Sequence, residues 1–136
     1  MALTYYGTPE QVRAYTGIRP EDLGLSDIKG GDTADQQLTA ILTAWLGQAT
    51  DIMDYMLGGT YLDDETVPAG LHNIAVRIVA NMVAQAVLRR ETPIIRIGDY
   101  AVRMTDDAII TPAIRRDLMR YRRTQPFRMF VPNMEE

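Results

Sequence analysis

The chain has 136 residues, 46 % of them apolar and 24 % charged, with a formal net charge of −4. That length and balance fit one globular domain with its own core and argue against global disorder. No apolar run approaches the ~20 residues that cross a bilayer, and the absence of cysteine removes disulfides, thiolate nucleophiles and cysteine metal sites, as suits a reducing compartment.

The opening MALTYYGTPEQ has neither a basic n-region nor an apolar h-region, so it does not read as a signal peptide. Thr8-Pro9-Glu10-Gln11 starts a first helix. Thr8 caps it, Pro9 suits the first helical position and Gln11 completes a capping box. Val12 and Tyr15 form its apolar face, and Gly17 ends it. Residues 18–31 read as a loop with one turn at Pro20–Leu23, closed by Gly30-Gly31.

Thr33-Ala34-Asp35-Gln36 is a second capping box, opening a long helix to about Leu57. Its apolar residues are Leu38, Ile41, Leu42, Trp45, Ala49, Ile52, Met53 and Met56, one stripe at helical spacing. Gly58-Gly59 stops it, and 60–66 is a loop. Pro68 begins a third helix to about Arg90. Apolar side chains nearly surround it, leaving a polar stripe of Asn73, Arg77, Asn81, Gln85 and Arg89. A helix apolar on most sides is a buried helix, so this one is central.

Pro93 then breaks the pattern. Ile94 to Met104 reads as a small hairpin turning at Gly98-Asp99, with β-branched and aromatic residues on both arms. Such a hairpin is marginal alone and needs helices or a neighbour to lie against. Thr111-Pro112 caps a fourth helix to about Arg123. Ile114, Leu118 and Tyr121 face inward there, and Arg115, Arg116, Arg120, Arg122 and Arg123 crowd its other sides. The sum is a mainly α fold: a small bundle of about four helices around a buried central helix, with one β-hairpin. Residues 1–123 form the domain and 124–136 an extended C-terminal arm.

Charge divides along the chain. Residues 1–76 carry 3 basic and 11 acidic side chains, whereas 77–128 carry 11 basic and 5 acidic. Thirteen of the 14 basic residues are arginine, whose planar fork suits held contacts with carboxylates or phosphates. The two halves either neutralise each other within the fold or attract copies of the chain.

Little of this carries catalytic chemistry. Ser26 and His72 are the only serine and histidine, and no strand–turn–helix elbow surrounds Ser26. His72, in the first turn of the third helix, reads as structural, although a small hydrolase built on the pair is a third and weakest reading. The glycine pair in KGGDT, 29–33, lacks the spacing of a phosphate loop. Asp63-Asp64-Glu65 lacks EF-hand spacing and reads as a solvated loop. No catalytic residue, cofactor or metal site is expected. The arginines of 115–123 can neutralise phosphates, but the chain has a pI near 5 and no known DNA-binding motif.

The tail TQPFRMFVPNMEE holds both phenylalanines of the protein, Phe127 and Phe130. Pro126 and Pro132 forbid a helix through it, and thirteen extended residues reach about 40 Å. Disordered tails are poor in aromatics. The strip Pro126, Phe127, Arg128, Met129, Phe130, Val131 and Pro132 therefore reads as an anchor for a partner, with folding back over its own domain as the alternative.

Several segments resemble one family. They are the hairpin carrying Gly98-Asp99-Tyr100-Ala101-Val102, then Thr111-Pro112-Ala113-Ile114, then Tyr121-Arg122-Arg123. The opening Thr8-Pro9-Glu10-Gln11-Val12 and the stretch Pro68-Ala69-Gly70-Leu71-His72-Asn73-Ile74-Ala75 join them. In this order they resemble the head–tail connector proteins of tailed bacteriophages, also called adaptor or head-completion proteins, over most of residues 8–123.

The resemblance implies a non-enzymatic ring, typically of twelve subunits, beneath the portal at the head–tail interface of the virion, after synthesis in the host cytoplasm. The ring would extend the DNA channel and offer a platform to the next connector, stopper or tail protein. DNA would pass without specific binding, and no membrane is involved. On this view the arm at 126–132 attaches to the portal. Ile97, Gly98, Asp99, Tyr100, Val102 and Arg103 of the hairpin line the channel or touch the next component. Arg115, Arg116, Arg120, Arg122 and Arg123 meet a neighbouring subunit. The alternative is a DNA-binding or DNA-packaging accessory protein that uses the same arginines.

Overall fold

The computed structural model describes residues 3–88 and 108–123. The expected hairpin at 94–104, the last residues of the third helix and the arm at 124–136 lie outside the described residues. Within them the fold is mainly helical: α1 (Pro9–Thr16), a short 3-10 helix (Pro20–Leu23), α2 (Ala34–Leu57), α3 (Ala69–Leu88) and α4 (Pro112–Met119), with no strand among the described residues.

Local chemistry sets most helix ends. Thr8 Oγ1 accepts the Gln11 N–H and Gln11 Oε1 accepts the Thr8 N–H, both at 3.1 Å. Thr33 and Gln36 repeat this at α2, at 3.2 and 2.9 Å. Thr111 Oγ1 accepts the Ile114 N–H at α4. Each box satisfies amide donors that a helix start leaves orphaned. Gly58 ends α2 in the left-handed region, φ 79°, where a side chain is costly.

α3 packs against α1, α2 and α4, and α2 also touches α1, α4 and the 3-10 helix. By length and mean hydropathy alone α3 passes for a membrane-crossing helix, which corrects the expectation that no segment would. Here its Leu71, Ile74, Ile78, Val79 and Met82 are buried. It also carries Arg77, ion-paired with Asp117 of α4 at 2.8 Å. It is a core helix of this fold.

Three details differ from the sequence reading. In α2, Leu46, Thr50 and Leu57 are buried beside the expected stripe, whereas Ile41, Ile52 and Met56 are only partly covered. Neighbours on several sides widen the buried arc beyond one stripe. Tyr15 of α1 is 61 % exposed, because the apolar contact of that helix is made by Val12. Finally, α4 stops at Met119 and not near Arg123. The amides of Arg120, Tyr121 and Arg122 bond carbonyls three residues back, and the Arg123 N–H bonds Leu57 O at 2.9 Å. The tightened turn carries the chain across to the end of α2.

Candidate functional site

The segment Tyr121 to Arg123 after α4 is riveted to the rest of the domain. Its anchor is the loop after α2, and that loop is itself held by Tyr6. The Tyr6 N–H donates to Thr50 Oγ1 at 2.9 Å, which gives buried Thr50 its partner. The Tyr6 hydroxyl donates to Asp54 Oδ1 at 2.7 Å and accepts the Tyr61 N–H at 2.9 Å. Thr60 Oγ1 lies 3.4 Å from the same hydroxyl and accepts the Leu62 N–H. Burial pushes the Tyr6 phenol above its ordinary pKa; the Thr60 contact opposes this and the Asp54 carboxylate adds to it.

Tyr61, so placed, receives the end of the α4 segment. Its hydroxyl donates to Tyr121 O. The Arg123 guanidinium stacks on its ring, 3.9 Å from the centroid. Arg123 Nη2 also donates to Thr60 O at 3.2 Å and to Asp64 Oδ2 at 2.8 Å. Arg122 Nη1 donates to Met56 O, a carbonyl in the last turn of α2, at 2.6 Å. Cations near exposed C-terminal carbonyls are favoured by the helix dipole. The result is a clasp that fixes Tyr121 to Arg123 against the end of α2 and the loop after it.

Two glycines make room for it. A Cβ on Gly59 would come within 3.3 Å of Arg123 Cδ, and one on Gly70 would overlap Tyr121 Oη. The tyrosine hydroxyl thus rests on bare backbone at the start of α3.

The five arginines expected at a subunit interface separate into two groups. Arg122 and Arg123 belong to the clasp. Arg115 and Arg116 of α4 and Arg120 just past its end are exposed. Arg116 lies 3.3 Å from Asp117, and Arg115 and Arg120 have no ion pair among the described residues. The hydrogen bond from Arg77 holds the Asp117 carboxyl below its ordinary pKa, with Arg116 adding to the effect. Among the described residues, only the Arg123–Asp64 ion pair joins the acidic and basic halves of the chain.

The other residues weighed for chemistry have structural employment. His72 Nδ1 accepts the Gly7 N–H at 2.8 Å, so that nitrogen is taken. Ser26 is exposed in the loop before α2, and its carbonyl accepts from Gln37 Nε2 at 2.7 Å. KGGDT closes a tight turn through Ile28 N–H to Asp32 O at 2.9 Å, and Asp27 Oδ1 accepts the Ala34 N–H at 2.7 Å. Among the described residues no group of three His, Asp or Glu is placed to hold a metal. The arm residues 126–132 and the hairpin residues 97–103 lie outside the described residues.

The sequence reading missed the clasp. Tyr6 and Tyr61 carried no signal by themselves, since their partners lie 48 and 60 residues away. The one available hint was a tyrosine two places after a Gly-Gly helix stop.

No protein-family model matches the chain, and neither a curated protein nor a solved structure shows significant similarity to it.

Proposed function

We propose that this chain is a structural head–tail connector of a tailed phage, a ring-forming adaptor beneath the portal that extends the DNA channel and offers a docking platform to the next component. The observation that carries the reading is the clasp. Four side chains, Tyr61, Asp64, Arg122 and Arg123, fix the root of a thirteen-residue arm whose apolar strip holds the only phenylalanines of the protein. A rigid root raises the effective concentration of a tethered anchor at its target. On this reading the strip at 126–132 grips the portal and the 97–103 segment meets the channel or the next connector. Arg115, Arg116 and Arg120 face an acidic surface of the adjacent subunit, as the heterologous contacts of a ring require. Among the described residues only one ion pair links the two charge halves, and Arg115 and Arg120 carry none, which leaves them for a neighbour. The role needs no catalytic residue and no cofactor.

The test is co-purification with the portal protein of the same genome, with stoichiometry by native mass spectrometry. The full chain is expected to join in many copies, and a Phe127→Ala/Phe130→Ala variant to be lost from the complex. Failure of both to join sinks the connector reading.

The DNA-binding alternative rests on the exposed Arg115, Arg116 and Arg120. It requires tight duplex binding at physiological salt with a steep salt slope. Weak binding that is insensitive to Arg115→Ala/Arg120→Ala removes it.

A further inference from the structure

The single histidine of the chain holds the opening segment with a bond that only an uncharged ring can make. His72 Nδ1 accepts the Gly7 N–H at 2.8 Å. A ring nitrogen that accepts carries no hydrogen, so the proton of the neutral imidazole sits on Nε2. A second proton can go only to Nδ1, and two N–H groups then point at each other. Among the described residues the Gly7 amide has no other acceptor.

Gly7 has no room to give way. It sits at φ 81°, and a Cβ there would lie 3.2 Å from both Leu46 Cδ2 of α2 and Val76 Cγ2 of α3. The ring is freer. His72 is half-buried and lines a groove of about 460 Å³ beside Gln11 and Asn73. A charged imidazole therefore reaches water by leaving Gly7. The residue before Gly7 is Tyr6, whose hydroxyl holds the Tyr61 amide. Tyr61 in turn carries the Arg123 guanidinium and bonds Tyr121 O.

We propose that His72 is a proton-operated latch for the clasp. Uncharged, it locks Gly7 and Tyr6 in place. On gaining a proton it lets Gly7 go and loosens the hold of Tyr61 on Tyr121 and Arg123. Imidazole is the side chain that ordinarily takes up its proton between about pH 5 and 8, so mild acidification works the latch.

The surroundings offer a charged ring no counter-ion. Among the described residues no carboxylate oxygen lies within 4.0 Å of its nitrogens. The Tyr6 ring meets it edge-on at 6.2 Å, and Asp54 of α2 is bonded to the Tyr6 hydroxyl. Tyr15 of α1 lines the same groove, whereas Arg13 pairs with Asp35 and Glu10 is exposed. On the α4 side Tyr121 rests at Gly70, and Asp117 is paired with Arg77. Asp22 of the 3-10 helix lies at the other end of α3, near Val83 and Leu88. The inference concerns the clasp of the isolated chain and holds or fails whatever the chain joins.

The test follows the imidazole and backbone signals of the isotope-labelled full chain by NMR from about pH 7.5 to 5.5. The amides of Gly7, Tyr61 and Arg123 are expected to shift with the midpoint of the imidazole. Their protection against hydrogen exchange, corrected for the intrinsic effect of pH, is expected to fall at least about tenfold. Leu46 and Val79, in the middle of α2 and α3, are expected to keep theirs. His72→Asn places an amide oxygen near the position of Nδ1, an acceptor that gains no proton, and is expected to abolish the response. Asp54 and Asp64 are unchanged in that variant, so a response of their own would persist in it. Circular dichroism checks that it folds, and if it does not, the titration of the parent decides. Clasp amides that do not follow the imidazole in the parent overturn the proposal. So does a response that survives His72→Asn, or a loss of protection shared evenly by Leu46 and Val79.

Discussion

The Arg123 guanidinium lies 3.9 Å from the centre of the Tyr61 ring, and the Tyr61 amide is in turn held by the Tyr6 hydroxyl. A stacked, partly desolvated cation of this kind contributes about 0.5–2 kcal/mol, and the Asp64 and Thr60 contacts add to it. Arg123→Ala is expected to lower stability by about 1–3 kcal/mol in urea unfolding. Arg123→Lys should recover only part of that, because an ammonium lacks the planar fork that stacks and bonds together. Full recovery by lysine would show that charge alone matters.

Gly70→Ala should destabilise the domain by about 1–3 kcal/mol, although alanine is the better helix former. The added methyl group falls on Tyr121 Oη. Combining it with Tyr121→Ala should cost less than the two single changes added together. Additive costs would mean that the two positions do not touch.

Tyr6→Phe removes a buried hydroxyl that serves Asp54 and the Tyr61 amide. The expected loss near neutral pH is about 1–3 kcal/mol. The raised pKa of Tyr6 adds a signature. The folded state favours the neutral phenol, so its contribution is fully present below pH about 10, the unfolded tyrosine value, and is lost as the pH rises through the higher folded value. Stability measured against pH should therefore fall less steeply on the alkaline side in Tyr6→Phe than in the parent.

Asp117 acts in the opposite direction. Its folded pKa is depressed, first by the Arg77 hydrogen bond. Its contribution is present above about pH 4, the unfolded aspartate value, and is lost as the pH falls through the lowered folded value. Asp117→Asn should flatten the acid limb of the stability profile, read by thermal unfolding across that range. An unchanged acid limb would show that the Arg77 pair is not coupled to folding.

Helix starts and stops were legible because they are written locally. Thr8 with Gln11, Thr33 with Gln36, Thr111 before Pro112, and the stops at Gly17 and Gly58 each need only a few neighbouring residues. What a helix touches is not written locally. Periodicity marked Leu38, Leu42, Trp45, Ala49 and Met53, but burial of Leu46, Thr50 and Leu57 depends on elements arriving from elsewhere in the chain. The end of α4 was misjudged for the same reason. Arg120 to Arg123 have good helix propensity, and the long-range bond to Leu57 overrides it. Tyr6 and Arg123 were unreadable as two ends of one network through Tyr61 because nothing in the 116 intervening positions relates them. The arginine cluster was visible as charge, but its division into a clasp and an exposed face required coordinates.

The loop after α2 has one more consequence. Tyr61 is held by Tyr6 on one side and by Tyr121 and Arg123 on the other, so the first and last described segments converge on the same small patch. A domain with adjoining entry and exit tolerates being spliced into a host loop or having its ends joined and reopened elsewhere. A permuted version, closed across this patch and cut at the exposed Gly30-Gly31 turn, should keep its core while presenting no free arm. That would separate what the helices do from what the tail does.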